Sequence, residues 1–231
     1  MNEHKIEGII AIIVIVVIAV GALAYIGTSD IRQREILIGE ANKLGEMDIT
    51  KENVDMTIKT TGDYAIVEQT MKEYINTYSN NLKEVEKILE DERLAQVLTS
   101  DNYENDGPNF IETKSYINET RENFNTKINT LIEMTSEENM MKAIEDKNLS
   151  QEMNDLYKQL MLGEEMTTDF QETAKSLQES SDTINAVLDV QENVINMLIA
   201  NKDKWEINDE GEIVFATQKL VDEYNGYLQN L

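Results

Sequence analysis

Apolar and polar positions form distinct patterns along this chain, and the first is an unbroken apolar run near the amino terminus. From Ile9 to Ile26 there are eighteen residues without a charged or amide side chain. A helix of that length spans roughly 27 Å at about 1.5 Å per residue, close to the roughly 30 Å hydrocarbon core of a bilayer. Strands rarely exceed about ten residues, so the length predicts a transmembrane helix and not a buried strand.

The second pattern is a heptad repeat from Leu149 to Leu198, in which stripe positions alternate steps of four and three. A helix with this repeat packs one continuous stripe against other helices. A parallel two-stranded coiled coil would use such a stripe, but three comparable helices in one chain favour intramolecular antiparallel packing. Gly163 and Thr167 interrupt the stripe and indicate a bend. The polar residues Ser181 and Gln191 either border a pocket or set the register.

Shorter patterns predict further helices and one hairpin. An amphipathic face beginning after Thr61 continues to Val97 at three- and four-residue steps, and the Gly- and Asn-containing segment Ser100–Pro108 ends it. Near the carboxyl terminus, apolar and polar residues alternate on both sides of an Asn-Asp-Glu-Gly turn, which predicts a β-hairpin near residues 204–215. The remaining predicted helices are 109–134, 135–148 (with Thr135 as its cap) and one that begins at about Thr217.

These elements predict an all-α protein in which an N-terminal transmembrane helix precedes an elongated antiparallel helical bundle with a small C-terminal β-hairpin. The predicted organisation is a short head (1–8), an anchor (9–27), a stalk or linker helix (28–60) and a bundle domain (61–231). The weak apolar stripe of the stalk favours a solvated spacer over a dimerising coil. We expect the soluble part to be a monomer.

The anchor carries a potential cleavage site, because Ala22-Leu23-Ala24 matches the small-x-small pattern of signal peptidase. The apolar run is already sixteen residues long at Ala24, however, and signal peptides usually have about seven to fifteen. Glu3 and Glu7 also differ from a basic leader. These features favour an uncleaved anchor held by membrane lipid, and the alternative is secretion after cleavage. Since the chain has no Cys, a lipoprotein anchor is excluded.

The charges that flank the anchor do not by themselves determine on which side of the membrane the domain lies. Lys5 precedes the anchor, whereas Arg32, Arg34 and Lys43 follow it, and taken literally this distribution favours a cytoplasmic domain. Long domains translocate largely regardless of flanking charge. An N-terminal anchor before a large domain is also the common layout for export. We therefore predict an extracytoplasmic domain attached to the cell membrane.

Composition excludes several classes of function. The formal net charge is −25, from 45 acidic and 20 basic residues, so the surface repels nucleic acid. The single histidine, His4, lies in the head before the anchor, which leaves the main domain without a histidine base or zinc ligand. No Gly-rich phosphate loop is present, and the aromatic content of 6% argues against a sugar cleft. We predict no enzyme activity, no catalytic residue and no cofactor.

Two acidic loops superficially match calcium-binding loops of the EF-hand type. In both, the twelfth position holds Thr where the bidentate Glu ligand is required, so we predict no metal site. The matching residues are Asn102, Glu104, Asp106 and Gly107, with Thr113 at position twelve, and Asn208, Glu210 and Gly211, with Thr217 at position twelve.

Together, the anchor and the segments IKTTGDYAIVEQTMKEYINTYSNN and WEINDEGEIVF resemble small, uncharacterised, N-terminally anchored helical proteins of Gram-positive bacterial envelopes. The resemblance implies a membrane location and no particular activity. Two functions fit it. The first is a non-catalytic envelope protein that presents its bundle to a protein partner. The second is a ligand-sensing bundle, similar to chemoreceptor domains, that acts through a partner membrane protein.

Overall fold

The computed structural model describes residues 31–162 and 166–229, and it describes side chains throughout those ranges except for residues 166–170. This part of the chain is mostly helical, with one small antiparallel sheet of two strands. The anchor predicted at residues 9–27 lies outside the described residues. Among the helices that are described, none has both the length and the apolarity needed to cross a bilayer.

The elements follow one another as predicted in outline, with short helices added between the long ones. Their bounds are α1 (Ile31–Glu46), α2 (Asp63–Leu89), α3 (Glu92–Gln96), α4 (Ser100–Asp106), α5 (Ile111–Met134), α6 (Glu137–Glu145), α7 (Gln151–Leu162), α8 (Met166–Ala200), β1 (Trp205–Ile207), β2 (Ile213–Phe215) and α9 (Gln218–Leu228).

The described residues divide into two compact units. The hairpin unit contains residues 85–126 and 179–229, and the all-helical unit contains residues 31–84 and 127–178. The three long helices α2, α5 and α8 contribute residues to both units. Several of the predicted stripe residues are buried in each unit. Tyr78, Leu82 and Leu177 are buried in the all-helical unit, and Ile184 and Leu188 in the hairpin unit.

Helix α1 differs from the solvated spacer expected for residues 28–60. It ends at Glu46, and one of its faces is buried within the all-helical unit through Leu37, Ala41 and Leu44. Burying such side chains contributes roughly 1.5–3 kcal/mol for each large apolar residue, which favours packing over exposure to solvent. The following segment is fixed as well, because the Ser79 hydroxyl donates to the carbonyl of Ile49.

In the hairpin unit, α5 and α8 run antiparallel, and polar contacts along their length show this directly. Lys114 contacts Asn196 and Arg121 contacts Asp189, so positions advance along one helix as they recede along the other. The amide of Asn125 exchanges hydrogen bonds with that of Asn185 at 3.2 and 2.8 Å. Within this unit, the antiparallel packing expected from the heptad pattern is therefore confirmed.

The β-hairpin is confirmed at the predicted position, with Trp205 paired to Phe215 across the strands. Gly211 occupies the turn at φ +77°, a conformation that favours glycine. Trp205 packs against Phe110 with ring centres 5.9 Å apart, and its indole N–H donates to the carbonyl of Leu198. The hydroxyls of Tyr103 and Tyr224 lie 3.0 Å apart. These aromatic contacts fasten the hairpin and α9 to the rest of the unit.

Local capping explains where the structure departs from the predicted helix bounds. The side chain of Asp91 accepts a hydrogen bond from the N–H of Arg93 and caps a separate helix, α3. The predicted amphipathic helix therefore does not continue unbroken to Val97. Thr99 caps α4 within the segment predicted to be a loop. The cap of α6 is Ser136, one residue after the predicted Thr135, because the Ser136 hydroxyl accepts from the N–H of Asn139. The predicted bend at Gly163 lies outside the described residues.

Candidate functional site

The most unusual group of side chains in the described structure is a buried ion cluster in the all-helical unit. It comprises Glu40 on α1 with Glu68 and Lys72 on α2, which are 5%, 0% and 1% exposed. Charged side chains are rarely buried to this extent unless they are paired. The Lys72 ammonium lies 2.8 Å from a Glu40 oxygen and 2.7 Å from a Glu68 oxygen. The cluster thus joins two helices through a single central cation.

Every strong donor and acceptor of the cluster is used. The Lys72 ammonium has three protons to donate, and it uses the third in a hydrogen bond of 2.7 Å to the carbonyl of Thr57. Glu68 accepts from the backbone N–H groups of Lys59 and Thr60 and from the Thr60 hydroxyl, so it also fixes the segment before α2. The remaining oxygen of Glu40 pairs with Lys43, which is largely exposed. With Lys43 included, two carboxylates meet two ammonium groups and the cluster is electrically balanced.

In the cluster, the pKa values of the two carboxyl groups are lowered and the pKa of Lys72 is raised, so all three lie farther from neutral pH than usual. Burial acts to raise the pKa of Glu40 and Glu68. Hydrogen bonds from Lys43 and Lys72 outweigh burial at Glu40, and those from Lys72 and Thr60 outweigh it at Glu68, so both pKa values lie below the ordinary carboxyl value. Burial likewise acts to lower the pKa of Lys72, and its bonds to the two carboxylates outweigh that effect and raise it. All three groups therefore keep their charge at neutral pH. Such a cluster stabilises structure, because proton transfer would need pKa values near the working pH.

A shallow pocket of about 360 Å³ opens beside the cluster. Glu40 and Lys72 form part of its wall, and Glu46, Glu52 and Asp55 add carboxylates around them. Glu40 and Lys72 are hydrogen-bonded to each other, so a buried ion pair forms part of a lining that is otherwise rich in carboxylates.

A second pocket, of about 450 Å³, lies within the hairpin unit between α3, α4 and the start of α5. The Arg93 guanidinium covers the ring of Tyr116 at 4.4 Å and is held by two hydrogen bonds from its Nε and one from Nη2 to the carboxylate of Asp91. Desolvation raises the pKa of Tyr116, which keeps the phenol protonated at neutral pH. Most of the other lining residues are polar, among them Asn105 and Asp106, and such a lining suits a small polar molecule.

The residues of the two EF-hand-like loops have structural roles. Asp106 accepts hydrogen bonds from the N–H groups of Glu112 and Thr113 and so caps α5. The side-chain oxygen of Asn208 accepts from the N–H groups of Glu210 and Glu212 and so shapes the hairpin turn. Within residues 31–162 and 166–229, no group of three or more acidic side chains is arranged to hold a metal ion.

We expect metal removal to leave the fold intact, because these loop carboxylates already bond to backbone N–H groups. The fragment from about Thr28 should fold alone and be mostly helical, with the same far-ultraviolet circular dichroism before and after treatment with a chelator. A large loss of helicity after chelation would contradict this prediction and restore the calcium interpretation.

We expect acid to weaken the ion cluster, in a direction that follows from the lowered pKa of Glu68. The ordinary carboxyl value is 4.5, so the stabilisation is present above that pH and is lost as pH falls further. The free energy of unfolding in urea should therefore be smaller at about pH 3 than at about pH 7. Glu68→Gln should be less stable at neutral pH but show a smaller dependence on pH. An unchanged pH dependence in this variant would contradict the assignment.

The sequence contained only part of the signal for this cluster. Glu68 and Lys72 are four residues apart on a predicted helix, which is the spacing of a helical ion pair. Nothing local indicates that both are buried or that Glu40, distant in sequence, completes the group. For Gln191 the sequence leaves two roles open, bordering a pocket or setting the register. The structure shows Gln191 buried, with its amide donating to the carbonyl of Leu94 at 2.7 Å. It therefore joins α8 to α3.

The fold and sites define a mostly helical protein with a small antiparallel sheet, a buried ion cluster and shallow polar pockets. Comparisons with protein-family models, with curated proteins and with solved structures found no significant match to this chain.

Proposed function

We propose that this chain is a non-catalytic, single-pass membrane protein whose helical bundle lies outside the cytoplasm and binds a protein partner at the cell envelope. The observation that carries the proposal is the saturated cluster of Glu40, Glu68 and Lys72. Its charged groups are engaged with one another and stay charged at neutral pH, so their contribution is to hold helices in place. A preorganised surface loses less conformational entropy when a partner binds.

Support for the location comes from the sequence. The apolar run from Ile9 to Ile26 has the length and composition of a bilayer-spanning helix, and an acidic domain of about two hundred residues follows it. The high negative charge favours a partner with a basic surface, because complementary potentials accelerate association.

The experiment that tests the proposed function is photo-crosslinking in the native membrane. A crosslinking residue placed at Ile111 or Val214, both exposed in the hairpin unit, reports on one surface, and one placed at Met56 reports on the all-helical unit. We expect a discrete crosslinked protein from one surface and not from the other. Absence of a discrete adduct from all three positions would count against protein binding.

A second candidate function is ligand sensing through a partner membrane protein, and the pocket beside Arg93 and Tyr116 favours it. A small polar ligand bound there should raise the melting temperature of the full chain, and Arg93→Ala should remove that increase. Arg121→Ala is the matched control, because Arg121 lies on α5 outside this pocket and pairs with Asp189 and Glu192.

We expect the full-length protein to fractionate with membranes and to resist carbonate extraction, because of its anchor. Protease added to intact protoplasts should digest the domain while leaving a cytoplasmic control protein whole. Protection of the domain until the protoplasts are lysed would show that it faces the cytoplasm and would overturn the proposed orientation.

A further inference from the structure

The pocket beside Arg93 and Tyr116 in the hairpin unit is lined by charges of both signs. Its volume of about 450 Å³ is larger than a free amino acid and falls within the range of small-molecule sites. The charged lining residues are one cation, Arg93, and three carboxylates, those of Asp101, Asp106 and Glu112. A guanidinium and several carboxylates therefore border one cavity.

The cation of this pocket is held in a fixed position although it is exposed. The Arg93 side chain is 68% exposed, and holding such a long side chain in one geometry costs conformational entropy. Hydrogen bonds from Nε and Nη2 to the Asp91 carboxylate hold one edge of the guanidinium. Its flat face lies over the ring of Tyr116 at 4.4 Å. Because the free protein already orders this group, a ligand meets a preorganised cation.

The guanidinium keeps donors for a ligand after it has bonded to Asp91. An arginine side chain carries five N–H groups. The bonds to Asp91 use those of Nε and Nη2, and the two protons on Nη1 are not part of them. Arginine donors match the geometry of a carboxylate or a phosphate. A carboxylate fits this pocket better, because a phosphate group with two negative charges would be repelled more strongly by the three carboxylates of the lining.

The three carboxylates of the pocket have different roles. Asp106 accepts from the backbone N–H groups of Glu112 and Thr113, so its oxygens hold the start of α5. Asp101 lies on α4 and Glu112 on α5, and both residues are exposed. Carboxylate oxygens accept hydrogen bonds and attract a positive charge, so these two side chains suit an ammonium group.

We infer that this pocket binds a small zwitterionic amino acid, with the ligand carboxylate on Arg93 and the ligand ammonium group toward Asp101 and Glu112. A ligand with negative charge alone meets three carboxylates, and one with positive charge alone meets a fixed guanidinium. A zwitterion satisfies both signs and, having no net charge, is not repelled by a chain of net charge −25. This inference rests on the second candidate function, ligand sensing, and names the class of ligand.

The test measures binding of the standard amino acids to the full chain by isothermal titration calorimetry. The amino acid that binds most tightly is then compared with two molecules of the same skeleton, the amine that lacks its carboxylate and the acid that lacks its ammonium group. Each should bind about 10- to 100-fold more weakly, because one charged hydrogen-bonding contact is lost. An amine or an acid that binds as tightly as the amino acid would overturn the proposal, as would a chain that binds no amino acid.

Substitutions then assign the two ends of the ligand to their partners. Arg93→Ala should weaken binding of the amino acid by about the same factor without weakening binding of its amine, which has no carboxylate to lose. Asp101→Asn combined with Glu112→Gln should weaken binding of both. The matched controls are Arg121→Ala and Glu122→Gln, which change the charge of α5 outside the pocket. Pocket variants that bind like these controls would overturn the assignment.

The same measurements separate this inference from the function on which it rests. If another small polar molecule stabilises the chain through Arg93 and no amino acid binds, ligand sensing stands and the ligand class is wrong. If an amino acid binds through Arg93 but leaves crosslinking to the partner membrane protein unchanged, the site stands and the sensing function is wrong.

Discussion

Replacing Lys72 by Met is expected to destabilise the protein by about 3–5 kcal/mol, the cost of leaving buried charges without their partner. The substitution keeps a long apolar side chain but removes the ammonium that lies 2.8 Å from Glu40 and 2.7 Å from Glu68. It also leaves the carbonyl of Thr57 without its donor. Urea unfolding followed by circular dichroism measures the loss, and Lys87→Met, at an exposed position of the same helix, should stay within about 0.5 kcal/mol of wild type.

A triple variant tests whether uncompensated charge causes the loss of stability in Lys72→Met. Lys72→Met combined with Glu40→Gln and Glu68→Gln removes all three buried charges, while Gln at position 68 still offers an oxygen to the N–H groups of Lys59 and Thr60. If uncompensated charge causes the destabilisation, the triple variant should be more stable than Lys72→Met alone. A triple variant as unstable as the single one would show that uncompensated charge is not the cause, and would point to the Thr57 carbonyl that both variants leave without its donor.

Periodic patterns were sufficient for the helices and the hairpin because each depends on residues close in sequence. The alternation around Trp205 and Phe215 predicted both strands, and the heptad positions Ile184, Leu188 and Leu198 are all buried. The points at which one helix ends and the next begins depend on single capping side chains, such as Asp91 before α3. A periodic pattern extends over many residues and does not detect a single cap.

The ion cluster could not be predicted in the same way. The three side chains of the cluster come from α1 and α2, which are joined by a non-helical segment. The course of that segment determines whether Glu40 can contact Lys72, and local sequence patterns do not reveal it. An acidic chain offers many carboxylates, so composition does not identify the two that are buried.

The heptad stripe packs either within one chain, as in a scaffold, or between two chains, as in a self-assembling coil. A substitution at Leu188 tests which of these occurs. Leu188 is fully buried in the hairpin unit, as are Val194, Ile195 and Leu198 farther along α8. Leu188→Ala should cost about 2–5 kcal/mol, because the lost side chain leaves a cavity in a packed core. Asn193→Ala, at an exposed position of the same helix, is the matched control and should stay within about 0.5 kcal/mol.

Dilution distinguishes the two uses of that stripe. The sequence favoured packing of Phe170, Leu177, Ile184 and Leu188 within one chain, and all but Phe170, whose side chain lies outside those described, are buried in a single chain. A monomer unfolds with a free energy that does not depend on protein concentration, whereas an obligate dimer gains stability by mass action. We therefore expect both the wild-type melting temperature and the loss in Leu188→Ala to be unchanged over about a hundredfold dilution. If the stability of the wild type fell on dilution, part of it would come from contacts between two chains. The scaffold interpretation would then be wrong.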